Sequence, residues 1–465
     1  LHCSGFVRLL SRGSKLFSGI LLGLFLSPLQ PRADLVEIDT ATGSRMAEKG
    51  KLQVPVSRQA PDAGSLSLPF LRFPSDSDDP GPPLFLLAGG PGNTYLDDLA
   101  EEPGFGAWLD RFLAVGDVVL LEQRGAATTD TSMPVKIQVE VAPDRADSVV
   151  DIPPKVLRRL RRARQTLDNE ASAAGLNIME MARDYHDLRR QLGYEHFSLM
   201  GGSFGSRLGL EIIRQDAGAV HRAIFYGVEG PGHHIDHPER VAAHLDRVGA
   251  AFRASWAGRW LLGDFRSRLE SLLERLDRDP IRGMVKGRDG NVYRVSVGAE
   301  DLKFLLWQEE GLKGRRQYIA RVGRLLLALR FGYEKPLLEA KLRVVERLES
   351  PEGLELNLSS LLVEAASIRP ESASGDDPAD DPAVFGPKIV DPVLRGLPQA
   401  LDPGPVDPAS RSPVRAATPT LLISGGLDGF TPPAYAREVA AHLPNAYHLH
   451  APLGDHDGWA ILESE

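Results

Sequence analysis

The chain has 465 residues, 42% hydrophobic and 25% charged, with a formal net charge of −9. These values suit a globular protein with a sizeable core, built as one large domain with an insertion or as two to three domains. The acidic balance argues against a nucleic-acid partner, which needs a basic face, and the single cysteine, Cys3, leaves the chain beyond it without disulfide or thiol chemistry.

Residues 1–33 read as a targeting segment. Arg8, Arg12 and Lys15 form a basic region, and Leu16 to Leu26 is an apolar run of signal-peptide length, too short to span a bilayer comfortably. Pro31-Arg32-Ala33 is a poor cleavage site, because the first of its three positions is not small. The segment predicts export to the periplasm or beyond, as a removed signal peptide or an N-terminal anchor. If it is a wrongly assigned start, the protein is cytoplasmic. No other stretch is long and apolar enough to cross a membrane.

Residues 34–237 read as the first part of an α/β core. Lys51 to Val56 and Ser65 to Phe73 are strand candidates, the second by its alternation. A polar Pro/Asp/Gly turn separates them from Leu84-Phe85-Leu86-Leu87-Ala88, a buried strand running straight into Gly89-Gly90-Pro91-Gly92. That glycine loop is either a tight turn or a loop whose backbone N–H must come close to a substrate oxygen. It is not a phosphate loop, since no Gly-Lys-Ser/Thr follows. Asp117 to Leu121 is another buried strand, followed by Glu122-Gln123-Arg124-Gly125, where Arg124 reads as a structural ion-pairing group. Val156 to Leu192 is mostly helical.

Next comes Leu199-Met200-Gly201-Gly202-Ser203-Phe204-Gly205-Ser206, a Gly-x-Ser-x-Gly pattern. The pentapeptide by itself recurs by chance. Here a short apolar strand, His196 to Met200, precedes it, and Arg207 to Arg214 follows with helical spacing. That is the setting of a nucleophile elbow, a strand-to-helix turn that presents a serine hydroxyl to a pocket. Ala223 to Val228 is the next strand and ends at Glu229.

From residue 238 to about 348 charged and apolar residues recur at helical spacing, which predicts a helical insertion, and residues 370–412 are rich in Pro, Asp, Ala and Ser, which predicts a mobile surface connection. Residues 413–465 resume the core: Thr420 to Ser424 is a strand, Val439 to Leu443 is helical, and Ala446 to Leu449 is a last strand.

A serine nucleophile needs a base for its proton and an acid to orient that base. Asp428 follows the Thr420–Ser424 strand in a glycine-rich turn, and His456 follows the next strand in a loop. Each has a plainer reading: an aspartate in such a turn serves turn chemistry, and His450 is a rival base, while His448 sits within a strand as a packing residue. The order Ser203, Asp428, His456, each after its own strand, favours the triad. No metal or cofactor is required.

With Gly89 to Gly92, Glu122 to Gly125, Gly201 to Gly205, Gly425 to Pro433 and the His456 loop in place, the chain resembles the prolyl iminopeptidase and tripeptidyl aminopeptidase branch of the α/β-hydrolases, over about residues 50–235 and 413–460. The resemblance implies an α/β-hydrolase fold, a mostly parallel central sheet with helices on both faces, carrying an inserted helical cap. It implies Ser203 as nucleophile, His456 as base, Asp428 as orienting acid, and oxyanion donors at the backbone of Gly90 and Phe204. It implies release of N-terminal proline, small residues or short peptides. Such an enzyme must hold a substrate ammonium, for which Glu229 and the cap residues Glu309 and Glu310 are candidates against a reading as solvated acids. A carboxylesterase or lipase-like hydrolase is the alternative on the same triad. A non-catalytic binding protein is a third reading, and an aspartate-nucleophile enzyme is disfavoured by Ser203. The expected partner is a small-molecule or short-peptide substrate. Departures from the branch are Glu122 in place of Asp, Ala126-Ala127 in place of a Gly/Ser-rich continuation, and Asp455 and Asp457 flanking the histidine in place of glycines. Two carboxylates there favour the protonated imidazole and raise the pH optimum.

Overall fold

The computed structural model describes residues 34–456 apart from 41–42, 96–102, 167–172, 234–237, 255, 262–263, 310–315 and 369–389. The targeting segment, Glu310 and Asp457 therefore lie outside the described residues.

The first three strands, β1 (Asp34–Thr40), β2 (Gly43–Pro55) and β3 (Ser65–Phe73), run antiparallel to one another. Two parallel strands follow, β4 (Gly81–Leu87) and β5 (Gly116–Leu121), and β3 joins them by pairing antiparallel with β5. A short strand, β6 (Pro134–Ile137), leaves this sheet. The parallel part is completed by β7 (Phe197–Ser203) and β8 (Val220–Val228). Within the insertion come the hairpin strands β9 (Ile281–Lys286) and β10 (Val292–Val297), then β11 (Leu354–Asn357), which pairs antiparallel with β6. Last are β12 (Thr420–Gly425) and β13 (Ala446–Ala451), parallel to β8 and to each other. The central sheet thus has nine strands in the order β1-β2-β3-β5-β4-β7-β8-β12-β13. The fold is that of the α/β-hydrolases.

The central strands are apolar on both faces because both faces are covered. Phe85, Leu87, Val119, Leu121, Phe197 and Leu199 face one core. Their alternates Leu86, Val118, Leu120 and Met200 face the other. β4 is flanked by β5 on one side and β7 on the other, so the chain order reverses there. The loops leaving β4 and β7 open at that switch point, where open α/β sheets place ligands.

Arg124 is structural, as expected. Its buried guanidinium pairs with Asp184 at 2.6 Å and donates to the carbonyls of Val56, Pro55 and Gly175. Arg58 also pairs with Asp184 and with Glu180. This network ties the end of β2 to the helix Ile178–Gln191.

The insertion is helical in the main, with helices Pro238–Ala254, Phe265–Arg278, Arg316–Arg330 and Lys335–Glu349. The β9–β10 hairpin is the departure from expectation. Charges interleaved in Arg282-Gly283-Met284-Val285-Lys286 hide β9 from a search for apolar runs, although Asp289-Gly290 is a hairpin turn signal. The stretch expected as a mobile connection contains the helix Val390–Leu401, which packs on the helix Ile152–Gln165 with Leu397 and Leu401 buried. Its apolar spacing is masked by Pro392 and Pro398. The late helix spans Pro433–Ala440, starting earlier than its apolar residues suggest because prolines suit a first turn.

Candidate active site

Ser203 sits at the join of β7 and the elbow helix, Phe204–Gln215, with φ +52° and ψ −124°. A non-glycine residue at positive φ is strained, and such strain persists only where packing enforces it. The glycines show what enforces it. A Cβ on Gly205 would lie 2.2 Å from the carbonyl oxygen of Leu87, and one on Gly201 would lie 2.7 Å from the backbone of Gly205. One on Gly202 would enter the ring of Tyr226. Ser206 adds a tie: its hydroxyl donates to the Ser203 carbonyl at 2.6 Å and accepts from the Glu229 N–H at 2.8 Å.

The loop after β4 lies against this elbow. The Cβ position of Gly89 is 3.1 Å from the Gly202 carbonyl oxygen and 3.7 Å from Ser203 Cβ. Gly90 and Gly92 both have positive φ, +71° and +77°. Phe204 opens the elbow helix, where a backbone N–H has no acceptor within the helix. The two expected oxyanion donors thus belong to segments flanking the serine. The Gln123 amide bridges the loop, donating to the Ala88 carbonyl at 2.9 Å and accepting from the Gly92 N–H at 3.0 Å. Glu122 is buried beside it, accepting from the hydroxyls of Thr94 and Thr128.

Asp428 and His456 meet. His456 Nδ1 donates to Asp428 Oδ2 at 2.9 Å. Asp428 is fully buried, and its Oδ1 accepts the N–H groups of Phe430 at 2.8 Å and Thr431 at 2.9 Å. The turn hydrogen bonds and the contact with His456 therefore fall on different oxygens of Asp428. The Thr431 hydroxyl donates to Oδ2 at 2.5 Å and lies 3.2 Å from His456 Nδ1. Gly425 and Gly426 let the histidine loop pass close over the turn, since Cβ atoms there would lie 2.3 Å from the Asp455 carbonyl and 2.1 Å from that of Pro452. Leu427 N–H to the Gly454 carbonyl, at 2.8 Å, bonds the two loops together.

His456 lies over Gly227, whose Cβ position is 3.2 Å from its Cε1. Gly227, at φ +50°, is the residue skipped where β7 and β8 shift register between Gly202–Tyr226 and Ser203–Val228. The imidazole therefore rests on the strand next to the serine. It is a quarter exposed, with Phe430 against its ring at 5.1 Å. Burial disfavours its charged form, but the Asp428 charge and hydrogen bond, then Glu229 and Asp455, outweigh burial and raise its pKa above the usual imidazole value. The rival His450 and the strand residue His448 share the hydroxyl of Ser424, at 3.2 and 2.8 Å, and burial lowers the pKa of both.

Of the expected ammonium-binding acids, Glu229 stands at the site and Glu309 ends a π-helical turn, Leu305–Glu309. Glu229 pairs with Arg207 at 3.2 Å, and Arg207 pairs with Glu364 at 3.0 Å. Arg207 is buried, stands one helical turn past Ser203 and lies over the Phe204 ring at 4.8 Å. Glu364 comes from the helix Leu358–Ser367, which also reaches the glycine loop, a Cβ on Gly92 falling 2.5 Å from Ser360 Oγ. Sequence reasoning missed Arg207, Ser206, Glu364 and the Gln123 bridge. Only Arg207 had a signal, its i+4 spacing from the serine. Among the described residues no cluster of three or more metal-binding side chains occurs, and no helix is long and apolar enough to cross a membrane.

Residues 82–285 match the family model described as alpha/beta hydrolase fold. The chain is 25% identical over 189 residues to the serine protease Hip1 of Mycobacterium tuberculosis and to that of Mycobacterium bovis. That match covers 39% of this chain and 36% of the relative, about a third of its length. Among solved structures, it is similar to a proline iminopeptidase-related protein of Thermus thermophilus, at 17% identity over 90% of this chain and 95% of that one, with a TM-score of 0.36. A thermophilic esterase of Thermogutta terrifontis gives 13% identity, 89% and 94% coverage and a TM-score of 0.34.

Proposed function

We propose that this chain is a serine hydrolase of the aminopeptidase kind, releasing proline, small residues or short peptides from a free N-terminus. The observation that carries the hydrolase part is the Asp428–His456 hydrogen bond resting on the strand beside a strained Ser203. In this reading His456 Nε2 takes the Ser203 proton as Oγ attacks the carbonyl carbon. The oxyanion is held by the N–H groups of Gly90 and Phe204, each such donor contributing about 3–4 kcal/mol in comparable sites. The C–N bond breaks as His456 returns the proton to the leaving amine, and water then releases the acyl group by the same steps. The partly similar curated relatives carry the name serine protease, which agrees with this chemistry.

The aminopeptidase part rests on charge. Glu229, which shares the Arg207 guanidinium with Glu364, is a carboxylate close enough to His456 for its charge to act on the imidazole. A substrate ammonium is the complement to that charge. Glu309 and Glu310 extend the proposal to the cap. Export through the N-terminal segment remains part of the same reading.

The test is hydrolysis of proline and alanine arylamides, an Ala-Ala-Pro arylamide, its N-blocked form and a short-chain nitrophenyl ester, each against Ser203→Ala. Turnover of free-amine amides alone, lost in Ser203→Ala and with KM raised about tenfold or more in Glu229→Gln, is the expected result. Equal cleavage of blocked peptides, or of the ester alone, replaces it with the esterase reading.

A further inference from the structure

We propose that Gln123 is a positioning residue that sets the oxyanion loop by clamping both of its ends, an inference that rests on the hydrolase reading above. The loop Gly89-Gly90-Pro91-Gly92 makes one turn of its own, the Asn93 N–H donating to the Gly90 carbonyl at 3.2 Å. Glycine peptides rotate at little cost, and Gly90 and Gly92 both stand at positive φ. A contact from outside the loop fixes how that turn is set against the elbow.

The Gln123 side chain does this with one planar group. It is 2% exposed, and its two ends meet the residue before the loop and the last residue in it. The Nε2 group donates to the Ala88 carbonyl and Oε1 accepts the Gly92 N–H. Pro91 has no N–H, so with the Gly92 amide taken up by Gln123 the loop's remaining N–H groups are those of Gly89 and Gly90. The backbone that carries the side chain is itself anchored, since the Glu122 N–H bonds to the Pro69 carbonyl on β3 and the Ala126 N–H bonds to the Gln123 carbonyl. On the far side the loop meets Ser360 and the Gly125 carbonyl, so Gly92 is held from two directions. A simultaneous donor and acceptor is required. Glutamate keeps the acceptor and sets a carboxylate against the Ala88 carbonyl, and methionine keeps the volume and loses both bonds.

The experiment compares Gln123→Met and Gln123→Glu with wild type on the best amide substrate and on a peptide boronic acid, whose serine adduct carries the tetrahedral oxyanion. The clamp predicts kcat down by about tenfold or more with KM within about twofold, and boronate affinity falling in parallel. Folded variants with kcat and boronate affinity near wild type overturn it, as does a rise in KM that accounts for the whole loss. A wild-type measurement covers variants that fail to fold. With glycine-selective labelling, the Gly92 amide is protected from hydrogen exchange in the free enzyme, whereas the Gly90 amide becomes protected only with boronate. A fast-exchanging Gly92 amide overturns the clamp. Absence of Ser203-dependent turnover in wild type fails the hydrolase reading itself, a different result from a Gln123 variant that works normally.

Discussion

The two halves of the site are built from different materials. Around Ser203 the parts are backbone: glycines at 201, 202 and 205 packed against Leu87 and Tyr226, with a second glycine loop touching the elbow. Around His456 the parts are side chains: a buried carboxylate, a threonine hydroxyl and an imidazole in hydrogen-bond contact. The first half has no room to yield, because a carbonyl cannot rotate away from an added methyl without moving its strand. The second tolerates a changed atom and answers in chemistry. Substitution should therefore cost folding on one side and rate on the other.

The largest effect is expected at Gly205→Ala. Its methyl would sit 2.2 Å from the Leu87 carbonyl oxygen and close to that of Ala88. We expect a loss of about 4 kcal/mol or more in denaturant unfolding, or no soluble protein, the range reserved for core overpacking and strain. Stability near wild type would mean that the elbow is less tightly held than its contacts indicate.

Next in size is Asp428→Asn, expected to fold normally and lose about 10⁴-fold in kcat, as when the acid of a Ser-His-Asp triad becomes an amide. Thr431→Val removes a single donor from Oδ2 and leaves His456 its partner. Its expected loss is about tenfold. Circular dichroism and steady-state kinetics on both variants check the split, and equal losses would mean that Thr431 has a larger part than support.

The same contrast explains what could be read in advance. Strand β3 follows from its alternation and β4, β5, β8, β12 and β13 from apolar runs, and the elbow follows from its glycines, because a backbone packed this closely admits no other residue. Asp428 and His456 could be placed by their order after strands. The Gln123 bridge, the Thr431–His456 contact and the Arg207–Glu364 pair could not, since each joins positions far apart in the chain by a contact that leaves no local pattern. The hairpin of the insertion and the helix Val390–Leu401 were obscured by charges and prolines set among their apolar residues.

The smallest expected effect lies in the pH profile. Burial opposes the imidazolium of His456, and Asp428, Glu229 and Asp455 together raise its pKa in spite of that. In the proposed mechanism His456 must be neutral to accept the Ser203 proton, so a raised pKa moves the acid limb of kcat/KM to higher pH. In the proposed mechanism Asp428 orients the base and Glu229 binds substrate, so neither suits this test, whereas Asp455 acts on the imidazole by charge, as Glu229 does. Asp455→Asn removes that charge. The pKa of His456 should fall, and the acid limb should move to lower pH by less than about one unit, with the plateau rate near wild type. Because the interaction is partly exposed to solvent, added salt should shrink the difference between the two profiles. A limb that stays put would mean that solvent already screens Asp455, and that the side-chain half of the site sets its proton affinity through Asp428 and Glu229.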